Sequence, residues 1–162
     1  MNKRIDPQQM DPVTGSTYPS PYDEPCQARQ RWRLGDQAGL SQFGINLVRL
    51  PPGAWSSQRH WHAKSDEFVY ILEGEATLVT DAGAEVLGPG DCAGFKAGDR
   101  DGHCLQNRSD ADVVYLEVGT RLVDDEGEYS DIDMKFVFAA RPSPFLHKDG
   151  TPYAPKERSG SK

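Results

Sequence analysis

Between Phe43 and Thr120 no apolar run lasts long. Short β-branched, aromatic and aliphatic stretches are cut by Pro51-Pro52-Gly53, Glu73-Gly74, Asp81-Ala82-Gly83, Gly88-Pro89-Gly90-Asp91 and Lys96-Ala97-Gly98-Asp99. Segments so closely punctuated leave no room for helices long enough to pack as a bundle, whereas each can form a strand that ends in a turn. Strands are expected at 44–50, 58–62, 67–72, 75–80, 84–87, 92–95, 103–106 and 113–118. Several short strands at this spacing close into a sandwich or barrel. The 16 glycines and 12 prolines among 162 residues supply the corners.

The flanks read differently. Residues 1–31 are rich in Pro, Gln, Asp and Ser and carry no periodic apolar pattern, so an extended arm is expected there. The barrel domain is expected over 32–140. Within it an acidic stretch (Asp124, Asp125, Glu126, Glu128) leads to Tyr129 and to an edge strand at 134–139. Residues 141–162 return to Pro, Gly and Lys and read as a surface tail.

These features exclude several function classes. No apolar run approaches the roughly 20 residues that cross a bilayer, and Met1 to Pro7 carry no apolar signal-like stretch, so a cytoplasmic protein with no membrane partner is expected. The net charge of −7, from 25 acidic and 18 basic residues, repels a phosphate backbone, so no nucleic acid partner is expected. Cys26, Cys92 and Cys104 lack the spacing of a zinc ribbon or redox motif and read as reduced structural thiols.

The chemistry lies in four residues of the β region. His60 and His62 are two apart on one strand, so both rings point to one face and Trp61 to the other. Glu67 shares its face with Val69 and Ile71, while Phe68, Tyr70 and Leu72 take the opposite one. A carboxylate thus heads an apolar row, where unpaired burial is costly. His103 shares its face with Leu105 and Asn107. Neutral imidazoles and an ionised carboxylate are ligands for divalent zinc, manganese, iron, nickel or cobalt, with zinc slightly favoured. A metal held by His60, His62, Glu67 and His103 resolves the cost of burying Glu67. His147, in the tail, reads as a surface residue.

Gly53, His60, His62, Glu67 and Gly74 resemble the first motif of the cupin superfamily. Gly90, Ala97, Gly98, His103 and Asn107 are similar to the second, with Lys96 where the family often has proline and a longer interval before His103. The resemblance covers residues 43–120 and implies an all-β double-stranded β-helix, a jelly-roll barrel with the metal in its mouth. The wider pattern is similar to small single-domain cupins described as sugar-phosphate or mannose-6-phosphate isomerases. It implies aldose–ketose isomerisation, in which a metal stabilises the enediolate and a base moves a proton between adjacent carbons.

Arg59, Lys96 and Arg121 are the candidate cations for a phosphorylated sugar. Tyr129, Asp131 and Asp133 are polar residues that could return to the barrel mouth, but no residue is singled out as the base. The same ligands also suit a metal-dependent oxygenase or lyase, or a pocket that binds a small molecule without turnover. A homodimer is expected, because an open barrel has edges to cover and the arm could lie across a partner. The alternative is an arm folded back on its own barrel.

Overall fold

The computed structural model describes residues 3–140 and 144–154. In chain order the strands are β1 (Val13–Thr14), β2 (Gln30–Trp32), β3 (Phe43–Leu50), β4 (His60–His62), β5 (Glu67–Glu73), β6 (Ala76–Thr80), β7 (Gly83–Leu87), β8 (Cys92–Phe95), β9 (Cys104–Gln106), β10 (Val113–Thr120), β11 (Glu126–Tyr129), β12 (Lys135–Val137) and β13 (Phe145–Leu146). The α-helix found among the described residues is the single turn Leu34–Gln37.

One layer is a six-stranded antiparallel sheet in the order β1-β2-β3-β10-β5-β8. Facing it are a sheet ordered β13-β12-β11-β4 and another ordered β7-β6-β9. An antiparallel bridge from His60 to His103 links these two, and the backbones of the two residues exchange both hydrogen bonds, at 3.2 and 2.9 Å. The two layers make an all-β jelly-roll barrel.

Alternation along the strands decides what the barrel buries. On β5, Val69 and Ile71 are 7% and 0% exposed, whereas Phe68, Tyr70 and Leu72 on the other face are each about 40% exposed. Val48 and Leu50 on β3, Val113 and Tyr115 on β10, and Leu105 on β9 complete this first core. Gly74 closes the hairpin between β5 and β6 at φ +76°. A Cβ there would lie 2.2 Å from the Asp112 carbonyl oxygen, so glycine is required on both counts. Asn107, buried beside this end, donates to the carbonyls of Leu50 and Ala111 and accepts from the Ser109 amide and hydroxyl. It is a structural residue that closes the turn before β10.

The arm and the tail are not free of the barrel. Tyr18 and Cys26 from the arm and Phe145 from the tail pack with Tyr129, Met134 and Phe136 into a second core. Edge-on ring contacts join Tyr18 to Tyr129 at 5.4 Å and to Phe145 at 5.3 Å. The arm then enters the large sheet as β1 and β2, with Arg31 opposite Val48. Of the two arrangements open to it, the arm takes the one folded back on its own barrel. Aromatic burial and sheet pairing hold it there. The tail expected over 141–162 likewise contributes β13; residues 141–143 and 155–162 of it lie outside the described residues. His147 stacks on Tyr153 and pairs with Asp133 at 2.8 Å, so it serves the tail.

Candidate metal centre

β4 and the residue just before β9 place His60, His62 and His103 side by side on one layer, and the first residue of β5 brings Glu67 across from the other. His60 Nε2 lies 3.2 Å from His62 Nε2. The Glu67 Oε2 atom is 3.0 Å from His103 Nε2, 3.4 Å from His62 Nε2 and 4.0 Å from His60 Nε2. The ligand atoms of His60, His62 and Glu67 all fall within 4.8 Å of one another, a group able to hold a divalent metal.

The hydrogen bonds behind the rings show why a cation fits. The Nδ1 of His60 faces the Gln58 carbonyl oxygen at 2.9 Å, and that of His62 faces Asp125 Oδ2 at 2.6 Å. Both partners are acceptors, so each Nδ1 carries the proton and each Nε2 presents a bare lone pair. Two such lone pairs and a carboxylate oxygen converge on one point, which is repulsive until a positive ion sits among them. Burial pushes His60 down to about 3, keeping it neutral. Burial alone would raise Glu67, but the His103 hydrogen bond and the neighbouring imidazoles outweigh it and hold the carboxyl at about 2. His103 is fixed by the Phe95 ring, stacked on it at 3.5 Å between centroids and 1° between planes.

Asp125 is the residue that sequence reasoning missed. It reads there as one acid in an exposed acidic stretch, yet it is fully buried. Its Oδ1 accepts from the amides of Lys64 and Glu126, both at 2.9 Å, leaving Oδ2 for His62. The carboxylate therefore sets the tautomer of the His62 imidazole and orients its ring. Replacing Asp125 with Asn should weaken metal binding about 10- to 100-fold with the fold retained, because the amide can present a donor where His62 needs an acceptor. Competition with a chromogenic chelator measures this, and an unchanged dissociation constant would reject the role.

The site opens into a cavity of about 360 Å³ between the layers. Arg59 is not among its lining residues: its guanidinium is taken up by Asp131, at 2.7 and 2.9 Å, and by Asp81. Lys96 lines a second, smaller hollow that also reaches His62, Glu67 and His103. Arg121 stands on the wall of the main cavity but is held by Asp36 and the Leu40 carbonyl. Tyr129 does return to the cavity, its ring 5.5 Å from that of His60, whereas Asp131 and Asp133 are engaged by Arg59 and His147.

The polar groups that sequence reasoning passed over are Arg29, Arg31, Asn46 and Glu117, all lining this cavity. Glu117 Oε1 accepts from Asn46 Nδ2 at 2.8 Å and pairs with Arg31 Nε at 2.9 Å. Glu117 faces Val69 and Glu67 faces Gly119, so the two glutamates are diagonal neighbours on the sheet, roughly 7–8 Å apart. Cys26 and Cys104 are buried, which pushes both thiols up to about 11 and leaves them inert, while Cys92 is exposed.

Comparison with known proteins agrees with this geometry. A family model described as a cupin domain matches residues 46–119. A sugar phosphate isomerase from a cupin superfamily of Silicibacter pomeroyi is similar at 46% identity, covering 93% of this chain and 96% of that one, with a TM-score of 0.86. A provisionally described sugar phosphate isomerase from Acidithiobacillus ferrooxidans is 27% identical over 80% of this chain and 82% of its own, with a TM-score of 0.71. A polyketide cyclase from Streptomyces resistomycificus shares the fold at 22% identity, covering 74% and 80% of the two chains, with a TM-score of 0.58. No curated protein sequence gives a significant match. Near full-length similarity, the barrel and its converging histidines place the chain in the cupin superfamily, to which it belongs.

Proposed function

We propose that the protein is a metal-dependent sugar-phosphate isomerase that interconverts an aldose and a ketose, with one divalent transition metal held by His60, His62, Glu67 and His103. The observation that carries this reading is the convergence of bare imidazole lone pairs and a carboxylate at the end of a polar cavity of small-molecule size. Similarity to a protein named as a sugar phosphate isomerase supports the reaction class.

When bound, a divalent metal supplies the positive charge that polarises a carbonyl oxygen. The chain supplies the rest. The proton must move between adjacent carbons, and the titratable groups lining the cavity outside the ligand set are few. Burial pushes Tyr18 up to about 12 and also raises Tyr115 and Tyr129, so none of the three is ionised near neutrality. Arginines are not bases. Glu117 is left as the proton carrier. Its hydrogen bond from Asn46 and its ion pair with Arg31 both use Oε1, and no hydrogen bond among the described residues engages Oε2.

The test is incubation of mannose 6-phosphate, glucose 6-phosphate and related aldoses in deuterated water with protein loaded in turn with zinc, manganese, iron, nickel and cobalt. Ketose should form with at least one metal, and chelation should abolish it. No isomer from any fully loaded form rejects the proposal. Oxygen consumption by the iron form under the same conditions would indicate an oxygenase instead.

A further inference from the structure

We propose that Arg31, delivered by the folded-back arm, binds the phosphate group of the substrate in the cavity that His60 and His62 also line. The inference deepens the isomerase reading and rests on it.

Arg31 lies on β2 opposite Val48, whose side chain is fully buried on the inner face, so the arginine points inward. It lines the same cavity as His60, His62, Glu67 and His103. Its ion-pair contact with Glu117 is through Nε, on one edge of the guanidinium, at 2.9 Å. No hydrogen bond within the described residues engages its two terminal nitrogens, and the side chain keeps 27% exposure. A planar fork with one edge tied down and the other open is the geometry that grips a phosphate through two parallel bonds.

Its neighbour Arg29 has a different task. Arg29 donates to the carbonyls of Ser56 and Gly15, pinning the arm to the barrel wall and holding β2 in place. The cations named from sequence are committed elsewhere or stand apart from this wall: Arg59 to Asp131 and Asp81, Arg121 to Asp36, and Lys96 in the other hollow.

The charge of the cavity points to the same ligand. Arg29 and Arg31 balance Glu67 and Glu117, Arg121 on the wall is offset by its partner Asp36, and the imidazoles there add nothing while they act as neutral ligands. A divalent cation at the histidines therefore leaves a surplus of two positive charges, which matches a phosphate monoester carrying about −1.5 to −2 near neutral pH.

Calorimetric titration of metal-loaded protein with mannose 6-phosphate, mannose and mannonate tests the assignment. Wild type should bind the phosphate ester about 10- to 100-fold more tightly than the parent sugar. Arg31→Ala should bring that ratio close to one, with metal content and mannose affinity unchanged, and Arg31→Lys should restore part of it. Were Arg31 only a prop for Glu117 or the arm, the two sugars would weaken together and the ratio would survive, which overturns the proposal. It is also overturned if the phosphate ester binds no better than mannose or does not bind, or if Arg31 governs the mannonate preference instead. An Arg31-dependent phosphate preference with no isomer from any sugar supports this site and rejects the isomerase reading alone. Isomer formation without that preference does the reverse.

Discussion

Alanine at both His60 and His62 should take the metal content of the purified protein from about one ion per chain to near zero. The two imidazoles contribute the bare lone pairs that make the site a cation trap, since their Nδ1 atoms are already committed to Gln58 and Asp125. What remains is Glu67 and His103, 3.0 Å apart and able to satisfy each other through a hydrogen bond without any ion. The loss should appear in stability too. Binding to the folded state alone stabilises by about 4 kcal/mol when free ligand is a thousandfold above its dissociation constant. At roughly 2–4 °C per kcal/mol for a chain of this size, metal should raise the wild-type melting temperature by about 8–16 °C. The double variant should not respond, while His147→Ala, in the tail, should respond as wild type does. Elemental analysis and metal-dependent melting curves measure both effects. Undiminished metal in the double variant would mean that the ion sits elsewhere.

What the sequence made legible was local. A strand repeats every two residues, so the shared face of His60 and His62, and of Glu67 with Val69 and Ile71, follows from spacing alone and holds in the structure. The breaks at Glu73-Gly74 and Gly88-Pro89-Gly90 similarly mark strand ends to within a residue or two. What was not legible depends on partners distant in the chain. Arg31 becomes a cavity residue only because β2 pairs with β3 and because Tyr18 finds Tyr129 and Phe145, contacts that no periodicity within residues 1–31 announces. Asp125 looks like its acidic neighbours until His62 and two backbone amides surround it. The cations beside the motifs were a poor guide to phosphate, because proximity in sequence does not fix the face: Arg59 adjoins His60 but points to the opposite side, onto Asp131 and Asp81.

The close approach at Gly127 shows how the second core and the metal site are joined. Gly127 lies opposite His62 in the β11–β4 pairing, and a Cβ there would come within 2.0 Å of the Trp61 carbonyl oxygen and 2.6 Å of the Phe136 ring. The bare backbone lets Phe136 pack directly against the His62 imidazole, at 4.8 Å between centroids. The ligand strand is thus clamped by the core that the arm and tail complete. The same arm carries Arg31 to Glu117, so its folding back also supplies part of the cavity wall.

Glu117→Gln should lower kcat for isomerisation by about 10²- to 10⁴-fold, the usual contribution of a positioned general base. The substitution removes the charge but keeps the side chain's shape, and the glutamine carbonyl can still accept from Asn46, so the local framework persists. Metal content should therefore stay at the wild-type value, and the preference for phosphate ester over parent sugar should persist. A loss confined to kcat separates a proton carrier from a strut, whose removal would weaken binding of substrate and anion together. Solvent deuterium offers a second readout. Wild type should exchange the hydrogen beside the carbonyl whenever the Glu117 proton equilibrates with solvent before its return, and the glutamine variant should show no such exchange even after long incubation. Full kcat in the variant, or deuterium incorporation at the wild-type rate, would assign the proton transfer to another group and leave Glu117 as the partner that holds Arg31.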